Sequence, residues 1–326
     1  MKIDPKNIKQ YFIFFWCLSS EDVLSIGTGP VDRIRKPNRA AKAAMTKRKF
    51  PKDSASPAPG QATDRATANP AVRLRLNKAL AQAGVCSRRA ADELILAGRI
   101  AVNGVTVATP GVSVDPAADV VSLDGRPIAQ PSKTAHAVFL LHKPAMVVTT
   151  AKDPQKRQTV LDLLPNQAKT SRLFPVGRLD YFSEGLLLLT DDGDLAYRLT
   201  HPKWHLPKTY RVLVRGELTA DKLGRMRQGM TLAEGDKLAP IGLKTDTPRP
   251  DGSTWLTMVL IQGLNRQIRR MCRDLELTVL RIIRISQGPI ELADLPNGAC
   301  RELTPHEIAA LRAAVGLEAG KTSPQP

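Results

Sequence analysis

The hydrophobic pattern predicts a small folded unit that begins at about residue 72 and ends near residue 131. Four apolar residues recur at the spacing of one helix face: Leu76, Ala79, Leu80 and Ala83. A second helix is expected between a Ser87 cap and Gly98, with Ala90, Ala91, Leu94 and Ile95 facing inward. Short strands follow at 100–102, 105–107 and 120–123, and an Asn103-Gly104 turn joins the first two.

A larger unit is predicted over residues 137–316, after a linker at 131–134. Its strands are expected at 138–141, 146–149, 173–176, 186–189, 210–214, 238–243, 255–261 and 279–285. Its helices are expected at 194–199, 220–228 and 265–275, with a last helix opened by the capping box Thr304-Pro305-His306-Glu307. Because strands and helices mix without strict βαβ alternation, we expect an α+β fold on a mixed, mostly antiparallel sheet with flanking helices.

The two ends of the chain lack a regular spacing of hydrophobic residues. Residues 31–71 scatter basic side chains among Pro, Ala and Ser, so we expect residues 1–71 to form a disordered basic extension, and residues 317–326 a disordered tail. The apolar run at 11–18 is too short to span a bilayer. It follows three lysines as in a secretory signal, but no small-residue cleavage site comes after it. An upstream mis-assignment of the start codon, with Met45 as the alternative start, is the favoured explanation.

Charge and cysteine content narrow the class of protein. The 326 residues carry a net charge of +17, which favours a polyphosphate partner such as RNA over a basic tail on an otherwise neutral protein. The four cysteines form no CxxC pair, and the five histidines show no HExxH spacing. We therefore expect reduced thiols, no metal site and a cytoplasmic protein that does not enter membranes.

Basic residues recur at the helix ends of the first unit. They are Arg75, Lys78, Arg88, Arg89 and Arg99. Such residues are ordinarily a solvated helix face, although a helix N-terminus also offers free N–H groups to a phosphate. The pattern from Arg75 through Asn103-Gly104 resembles the S4 RNA-binding domain as a whole. The resemblance implies RNA binding through shape and phosphates by these five residues.

A charged run, Gly177-Arg178-Leu179-Asp180, lies between two apolar segments of the larger unit. Gly177 and Gly185 permit tight turns and close approach of a ligand, and loops held by a rigid sheet often carry chemistry. Taken alone, however, an Arg-x-Asp of this kind indicates a turn-capping ion pair.

The longer string from Phe174 to Thr190 resembles the signature of the RsuA-type ribosomal RNA pseudouridine synthases. In that family the Asp is catalytic, so the resemblance implies that Asp180 attacks the sugar C1′ or otherwise promotes loss of uracil. The base then turns and rejoins through C5. The resemblance also implies that the target base is flipped out of the RNA and that Arg178 helps to hold it. Because the product is an isomer of the substrate, no redox cofactor and no metal are expected.

Two further motifs follow in the order of that family. In Leu206-Pro207-Lys208-Thr209-Tyr210, the tyrosine alone would be an ordinary strand aromatic. The resemblance implies that Tyr210 stacks on the flipped uracil and that Lys208 contacts phosphate.

The run at 262–271 alone indicates a basic amphipathic helix with Ile268 and Met271 on its apolar face. By resemblance, Arg269 pairs with the catalytic carboxylate, and Arg266 and Arg270 meet RNA phosphate. A guanidinium beside a carboxylate favours its ionised form.

The spelling Gln262-Gly263-Leu264-Asn265 differs from the commoner Glu-Gly-Arg-Asn and is closer to an RluF-like branch that acts on large-subunit ribosomal RNA. We therefore expect large-subunit RNA, or a ribosome assembly intermediate, as the partner of a monomeric enzyme.

Two alternatives remain. One is a non-catalytic S4-domain factor that binds RNA during ribosome assembly, against which stand the intact Asp180, Tyr210 and Arg269. The other is a nucleosidase or glycosidase, which would normally need a pair of acid and base carboxylates. Glu184 and Asp191 lie near in sequence, but nothing marks them as partners.

Overall fold

The computed structural model describes residues 73–129, 136–166, 168 and 172–317. The predicted basic extension at 1–71, the linker at 131–134 and the tail after residue 317 lie outside the described residues, so those interpretations stay predictions. Within the described ranges, no helix is long and apolar enough to cross a membrane.

The first unit packs two helices against short antiparallel strands. Its elements are β1 (Leu74–Arg75), α1 (Leu76–Gln82), α2 (Arg88–Leu96), β2 (Ile100–Val102), β3 (Val105–Val107), β4 (Ser113–Val114), β5 (Val121–Leu123) and β6 (Arg126–Pro127). The strand order is β3-β2-β5-β6, and β1 pairs with β4. Ser87 caps α2 by accepting a hydrogen bond from the backbone N–H of Ala90, as predicted. Of the four inward-facing residues expected in α2, only Ala91 and Ile95 are fully buried.

The second unit is built on one large sheet. Its elements are β7 (Val138–Lys143), β8 (Phe174–Pro175), β9 (Glu184–Thr190), α3 (Gly193–Thr200), β10 (Lys208–Arg215), α4 (Ala220–Gln228), β11 (Gly242–Thr245), β12 (Ser253–Leu260), α5 (Gln267–Asp274), β13 (Thr278–Gln287), β14 (Ile290–Glu291), β15 (Cys300–Glu302) and α6 (Pro305–Ala314). The strand order is β11-β12-β10-β13-β9-β7-β15, with β14 on β13 and β8 on β9. A parallel pair, β9 with β13, interrupts the antiparallel pairing of the other strands. The predicted α+β class with a mixed, mostly antiparallel sheet is thus confirmed.

Strand β9 lies inside this sheet, between β13 and β7, and is buried at every position. Its leucines alternate between two cores. Leu186 and Leu188 pack with α3 and α6, whereas Leu187 and Leu189 pack on the opposite face with residues of the segment 147–173. A third core joins α4 and α5 to the far half of the sheet. The wholly apolar run predicted a strand covered on both faces, and the structure has one.

Three predicted elements need correction. Residues 146–149 are not a strand, because Met146 adopts a left-handed backbone (φ 62°) and Val148 forms an isolated bridge to Thr159. The strand expected from residue 238 begins only at Gly242. The basic helix expected from residue 265 begins at Gln267, because Arg266 is itself left-handed (φ 49°).

Helix α6 is closed at its start by the predicted capping box. The Thr304 hydroxyl accepts from the Glu307 backbone N–H at 3.2 Å, and the Glu307 carboxylate accepts from the Thr304 N–H at 2.8 Å. Arg301 adds two hydrogen bonds to the same carboxylate, at 2.9 and 2.6 Å. Mainly through Arg301, these contacts lower the pKa of Glu307 to about 2.

This depressed pKa predicts a pH-dependent contribution to stability. Because the unfolded chain binds the proton at a higher pH than the folded chain does, the stabilisation by Glu307 is complete above about pH 4.5 and is lost as the pH falls toward about 2. Urea unfolding of the wild type and of Glu307→Gln should therefore give a difference in unfolding free energy that shrinks over this window. Glu302→Gln, at an exposed position, is the control. A difference that is constant with pH would contradict the assignment.

Candidate active site

The candidate site lies where the chain enters β9, at a tight turn over residues 180–183. The Ser183 N–H donates to the Asp180 carbonyl at 3.0 Å and closes the turn. Each carbonyl from 179 to 183 accepts a hydrogen bond, so the turn is fixed along its whole length. The donors are Thr149 Oγ1 to Leu179, Ser183 N to Asp180, Met146 N to Tyr181, Arg269 Nη2 to Phe182 and Lys143 Nζ to Ser183.

These bonds explain the mistaken strand at 146–149. The backbone N–H of Met146 is directed at Tyr181 (2.7 Å), and the buried hydroxyl of Thr149 donates to the Leu179 carbonyl at 2.8 Å. The short, mostly apolar run looks like a strand in sequence, but this segment supports the turn instead. No local pattern distinguishes the two arrangements, because the partner lies about thirty residues away.

Lys143 is a member of the site that the sequence interpretation missed. Its side chain is fully buried at the end of β7, and Nζ donates to the carbonyls of Pro144 and Ser183, each at 2.8 Å. Burial lowers the pKa of Lys143 to about 8, although the carboxylates of Glu184 and Asp180 act in the opposite direction. The signal available in the sequence was a lysine at the end of a strand that begins with four apolar residues.

Two arginines flank the Asp180 carboxylate. Arg266 Nη1 and Arg269 Nε each lie 3.9 Å from Oδ2, and the Asp180 side chain is 33% exposed. Arg269 is held in place, because its Nη2 also donates to the Phe182 carbonyl at 3.0 Å. The structure thus brings Arg269 to the carboxylate that the motif assigned to it. The structure also brings Arg266 to this carboxylate, although Arg266 was predicted to contact RNA phosphate.

An open pocket with an empty volume of about 480 Å³ lies in front of this carboxylate. Arg178 and Tyr210, both predicted site residues, line it together with Asp180, Arg266 and Arg269. The sequence interpretation did not include the remaining wall, which is largely apolar or backbone: Leu179, Ser183, Leu260, Gln262, Gly263, Leu264, Gln267, Ile268 and Ile282. A flat group that carries a polar edge fits such a lining.

Arg270 does not belong to this pocket. Its guanidinium pairs with Asp236 at 2.6 Å and with Glu234 at 3.1 Å, and Arg273 joins Glu234 at 2.7 Å. The phosphate contact of Arg270 stays a prediction, and in this structure two carboxylates occupy its guanidinium. Arg266, which lines the pocket, precedes the helix in a left-handed conformation.

Lys208 is also not among the pocket residues. Its Nζ donates to the Leu206 carbonyl at 3.0 Å. Burial, followed by the neighbouring Arg284 charge, lowers the pKa of Lys208 to about 8. The predicted phosphate contact for Lys208 is therefore not supported, because the ammonium is directed into the protein rather than toward the pocket.

The basic residues of the first unit divide into two groups. Lys78 pairs with Asp194 of the second unit at 2.7 Å, and Arg99 donates to Asp124 at 2.9 Å. Arg75, Arg88 and Arg89 are exposed. The N-terminal turn of α2 thus presents two arginines to solvent, while two of the five expected RNA contacts are engaged within the protein.

The carboxylates required for a glycosidase pair are not in the pocket. Glu184 is buried and accepts two hydrogen bonds from Arg281, at 2.9 and 2.7 Å, which lower its pKa. Asp191 accepts from the Ala137 N–H at 3.1 Å on another part of the fold. Among the described residues, no group of His, Cys, Asp and Glu is arranged to hold a metal ion, and the three cysteines there are unpaired.

Comparison with known proteins identifies the class. A family model described as RNA pseudouridylate synthase matches residues 137–274, and an S4 domain model matches residues 74–121. An uncharacterized RNA pseudouridine synthase of Aquifex aeolicus (strain VF5) is 41% identical over 249 residues, covering 76% of this chain and 97% of that protein. Ribosomal large subunit pseudouridine synthase B of Bacillus subtilis (strain 168) is 38% identical over 240 residues, covering 73% of this chain and 96% of that protein.

A solved structure agrees with these sequence relatives. A crystal structure of a pseudouridylate synthase matches with a TM-score of 0.51 and 26% identity, over 73% of this chain and 99% of that one. An S4 domain followed by a catalytic α+β domain defines an RNA-modifying enzyme. This chain belongs to the RNA pseudouridine synthase family, and it is an isomerase rather than a non-catalytic binding factor. Similarity to the RluF-like branch stays a prediction, since the named Bacillus relative is a synthase B.

The geometry predicts the effect of a conservative change at Arg269. Lysine keeps the charge, but it lacks the planar guanidinium that faces the Asp180 carboxylate and also donates to the Phe182 carbonyl. We expect Arg269→Lys to lower kcat by roughly tenfold to a hundredfold, as for the loss of a charge-assisted hydrogen bond. The measurement is tritium release from C5-labelled uridine in RNA. Arg273→Lys on the same helix should keep wild-type activity, and equal losses in both variants would argue against the pairing.

Proposed function

We propose that this protein converts a uridine of large-subunit ribosomal RNA to pseudouridine, with Asp180 as its catalytic carboxylate. The observation that carries the proposal is one pocket lined by Asp180, Tyr210 and Arg269 together. The printed name of the Bacillus subtilis relative supports large-subunit RNA as the substrate class. The substrate is naked RNA or a ribosome assembly intermediate. The enzyme acts in the cytoplasm as a monomer and needs no cofactor.

The reaction rearranges bonds within one nucleotide. The Asp180 carboxylate attacks C1′, or otherwise promotes departure of uracil, and the C1′–N1 bond breaks. The base then turns, C5 forms the new bond to C1′, the C5 proton leaves to solvent and N1 takes up a proton. Atoms and electrons balance without an oxidant or a reductant, because substrate and product are isomers.

Access to C1′ requires the nucleotide to leave the RNA stack. A paired uridine cannot present its sugar carbon to a side chain on a pocket wall, so extrusion is needed at a cost of roughly a few kcal/mol. The ring of Tyr210 is positioned to stack on the extruded uracil, and the exposed Arg178 guanidinium to hold the flipped nucleotide. The place of both residues in the pocket beside Asp180 supports these roles.

The first test removes the charge of the carboxylate and keeps its shape. Asp180→Asn should reduce tritium release from C5-labelled ribosomal RNA by at least about a thousandfold, because the group that reacts is gone. Binding of RNA should persist. The matched control is Asp246→Asn, since Asp246 pairs with Arg211 outside the pocket. Unchanged isomerisation in Asp180→Asn would refute the site, and release of free uracil by the wild type would favour a nucleosidase.

The second test concerns the exposed arginines of α2. Replacing Arg88 and Arg89 together with Gln should weaken RNA binding and reduce the slope of log K against log salt by about one to two, one for each lost phosphate contact. Catalysis at saturating RNA should persist. The control is a double replacement of Arg225 and Arg227 with Gln. These arginines are also exposed on a helix, so the control removes the same charge from another part of the protein. If both double variants change the slope equally, the first unit has no special role in RNA binding.

A further inference from the structure

Large apolar side chains are exposed beside the Asp180 turn. Phe182 is 60% exposed and Met146 is 62% exposed, and the Met146 N–H donates to the carbonyl of Tyr181, the neighbour of Phe182, at 2.7 Å. The rings of Tyr181 and Phe182 meet edge to face, with centroids 5.0 Å apart and planes at 76°. We call Met146, Tyr181 and Phe182 the apolar tip. Single exposed apolar residues are ordinary on protein surfaces, but these two are attached to the turn that carries Asp180.

The apolar tip is held rigidly. Tyr181 and Phe182 are the two central residues of the turn, and each of their carbonyls accepts a hydrogen bond, from Met146 N at 2.7 Å and from Arg269 Nη2 at 3.0 Å. The Arg157 guanidinium lies 6.0 Å from the Tyr181 ring centroid. A bulky residue in the left-handed region, as Met146 is, costs stability. The Phe182 ring is thus presented to solvent by a backbone that cannot readily withdraw it.

Charge around the tip favours a nucleic acid over a protein as its partner. The exposed Arg178 precedes the turn, and the half-exposed Arg266 lies 3.9 Å from Asp180. Exposed aromatic rings interleaved with arginines are typical of surfaces on which bases stack while phosphates pair with guanidinium groups. Proteins that distort nucleic acids also insert apolar side chains between base steps.

We propose that Phe182 is a wedge that contacts the RNA next to the target nucleotide and occupies the space from which the uridine is extruded. The inference rests on the proposed function, because it assumes that a uridine is flipped toward Asp180. Arg269 links the two events physically, since one guanidinium faces the carboxylate and donates to the Phe182 carbonyl. Phe182 is therefore a positioning residue, and it does not touch the reacting atoms.

A wedge matters only where stacking and pairing must be broken. The test uses two large-subunit RNA transcripts that contain the uridine modified by the wild type. In one transcript the uridine is base-paired, and in the other a changed opposite strand leaves it mismatched. We expect Phe182→Ala to lower kcat/KM on the paired transcript by about tenfold or more, the effect of losing one base–aromatic stack. On the mismatched transcript, the loss should be less than about twofold.

The variants separate a wedge from a structural role. Phe182→Trp should restore turnover of the paired transcript, because indole also stacks on a base. Leu280→Ala, an exposed apolar residue on β13, is the matched control and should behave as the wild type on both transcripts. Thermal unfolding should be unchanged in Phe182→Ala, because its ring is mostly in solvent.

Two results would overturn the inference. Equal losses on the paired and mismatched transcripts would mean that Phe182 supports the turn rather than the extrusion of the base. Full activity of Phe182→Ala on both transcripts would mean that the ring has no part in the reaction. Failure of the proposed function looks different, because Asp180→Asn would then remain active on both transcripts whatever Phe182 does.

Discussion

The site depends on one close approach between two strands. Gly185 in β9 pairs in parallel with Arg284 in β13, and a Cβ on Gly185 would lie 2.2 Å from the Arg284 carbonyl oxygen, at a φ of 107°. No L side chain fits there without moving a strand. The contact fixes where β9 begins, and therefore where the turn that carries Asp180 projects. Since β13 follows α5 directly, the same contact brings the arginines of α5 opposite that turn.

Buried cations hold this arrangement, and their hydrogen-bond partners are backbone carbonyls. Lys143 donates to Ser183 and Pro144, and the buried Arg284 donates from Nε to the Leu186 carbonyl at 2.7 Å. Taking a charge out of water is costly, which is why the pKa of Lys143 falls to about 8. A core of leucines would give a more stable sheet end. The cations instead fix the orientation of carbonyls where β7 ends and β9 begins.

The parts of this fold that were predictable from sequence are those decided by local physics. The β9 run of leucines, the Asn103-Gly104 hairpin and helix 220–228 follow from periodicity and turn chemistry, and the structure has them. Asp180 and Tyr210 came from motif resemblance, and the structure brings them to one pocket. The predictions that failed concern residues whose structure is decided by hydrogen-bond or ion-pair partners far away in sequence. The short, mostly apolar run at 146–149 could not reveal that its hydrogen-bond donors bind a turn some thirty residues later. The sequence around a basic residue also does not show whether an acidic residue on another loop will form an ion pair with it.

The arginines of α5 show how pairing with acidic residues affects function. Arg270 and Arg273 are neutralised by Glu234, Asp236 and Asp274 on the outer side of the helix. Arg266 and Arg269 face the pocket, where Asp180 is the carboxylate within ion-pair distance of both among the described residues. The start of α5 also lines the pocket, so the positive end of the helix dipole adds positive potential there. One helix therefore separates a neutralised outer face from a positive pocket. Arg266 contributes to the pocket from the left-handed position just before the helix, and Arg269 contributes from the helix itself.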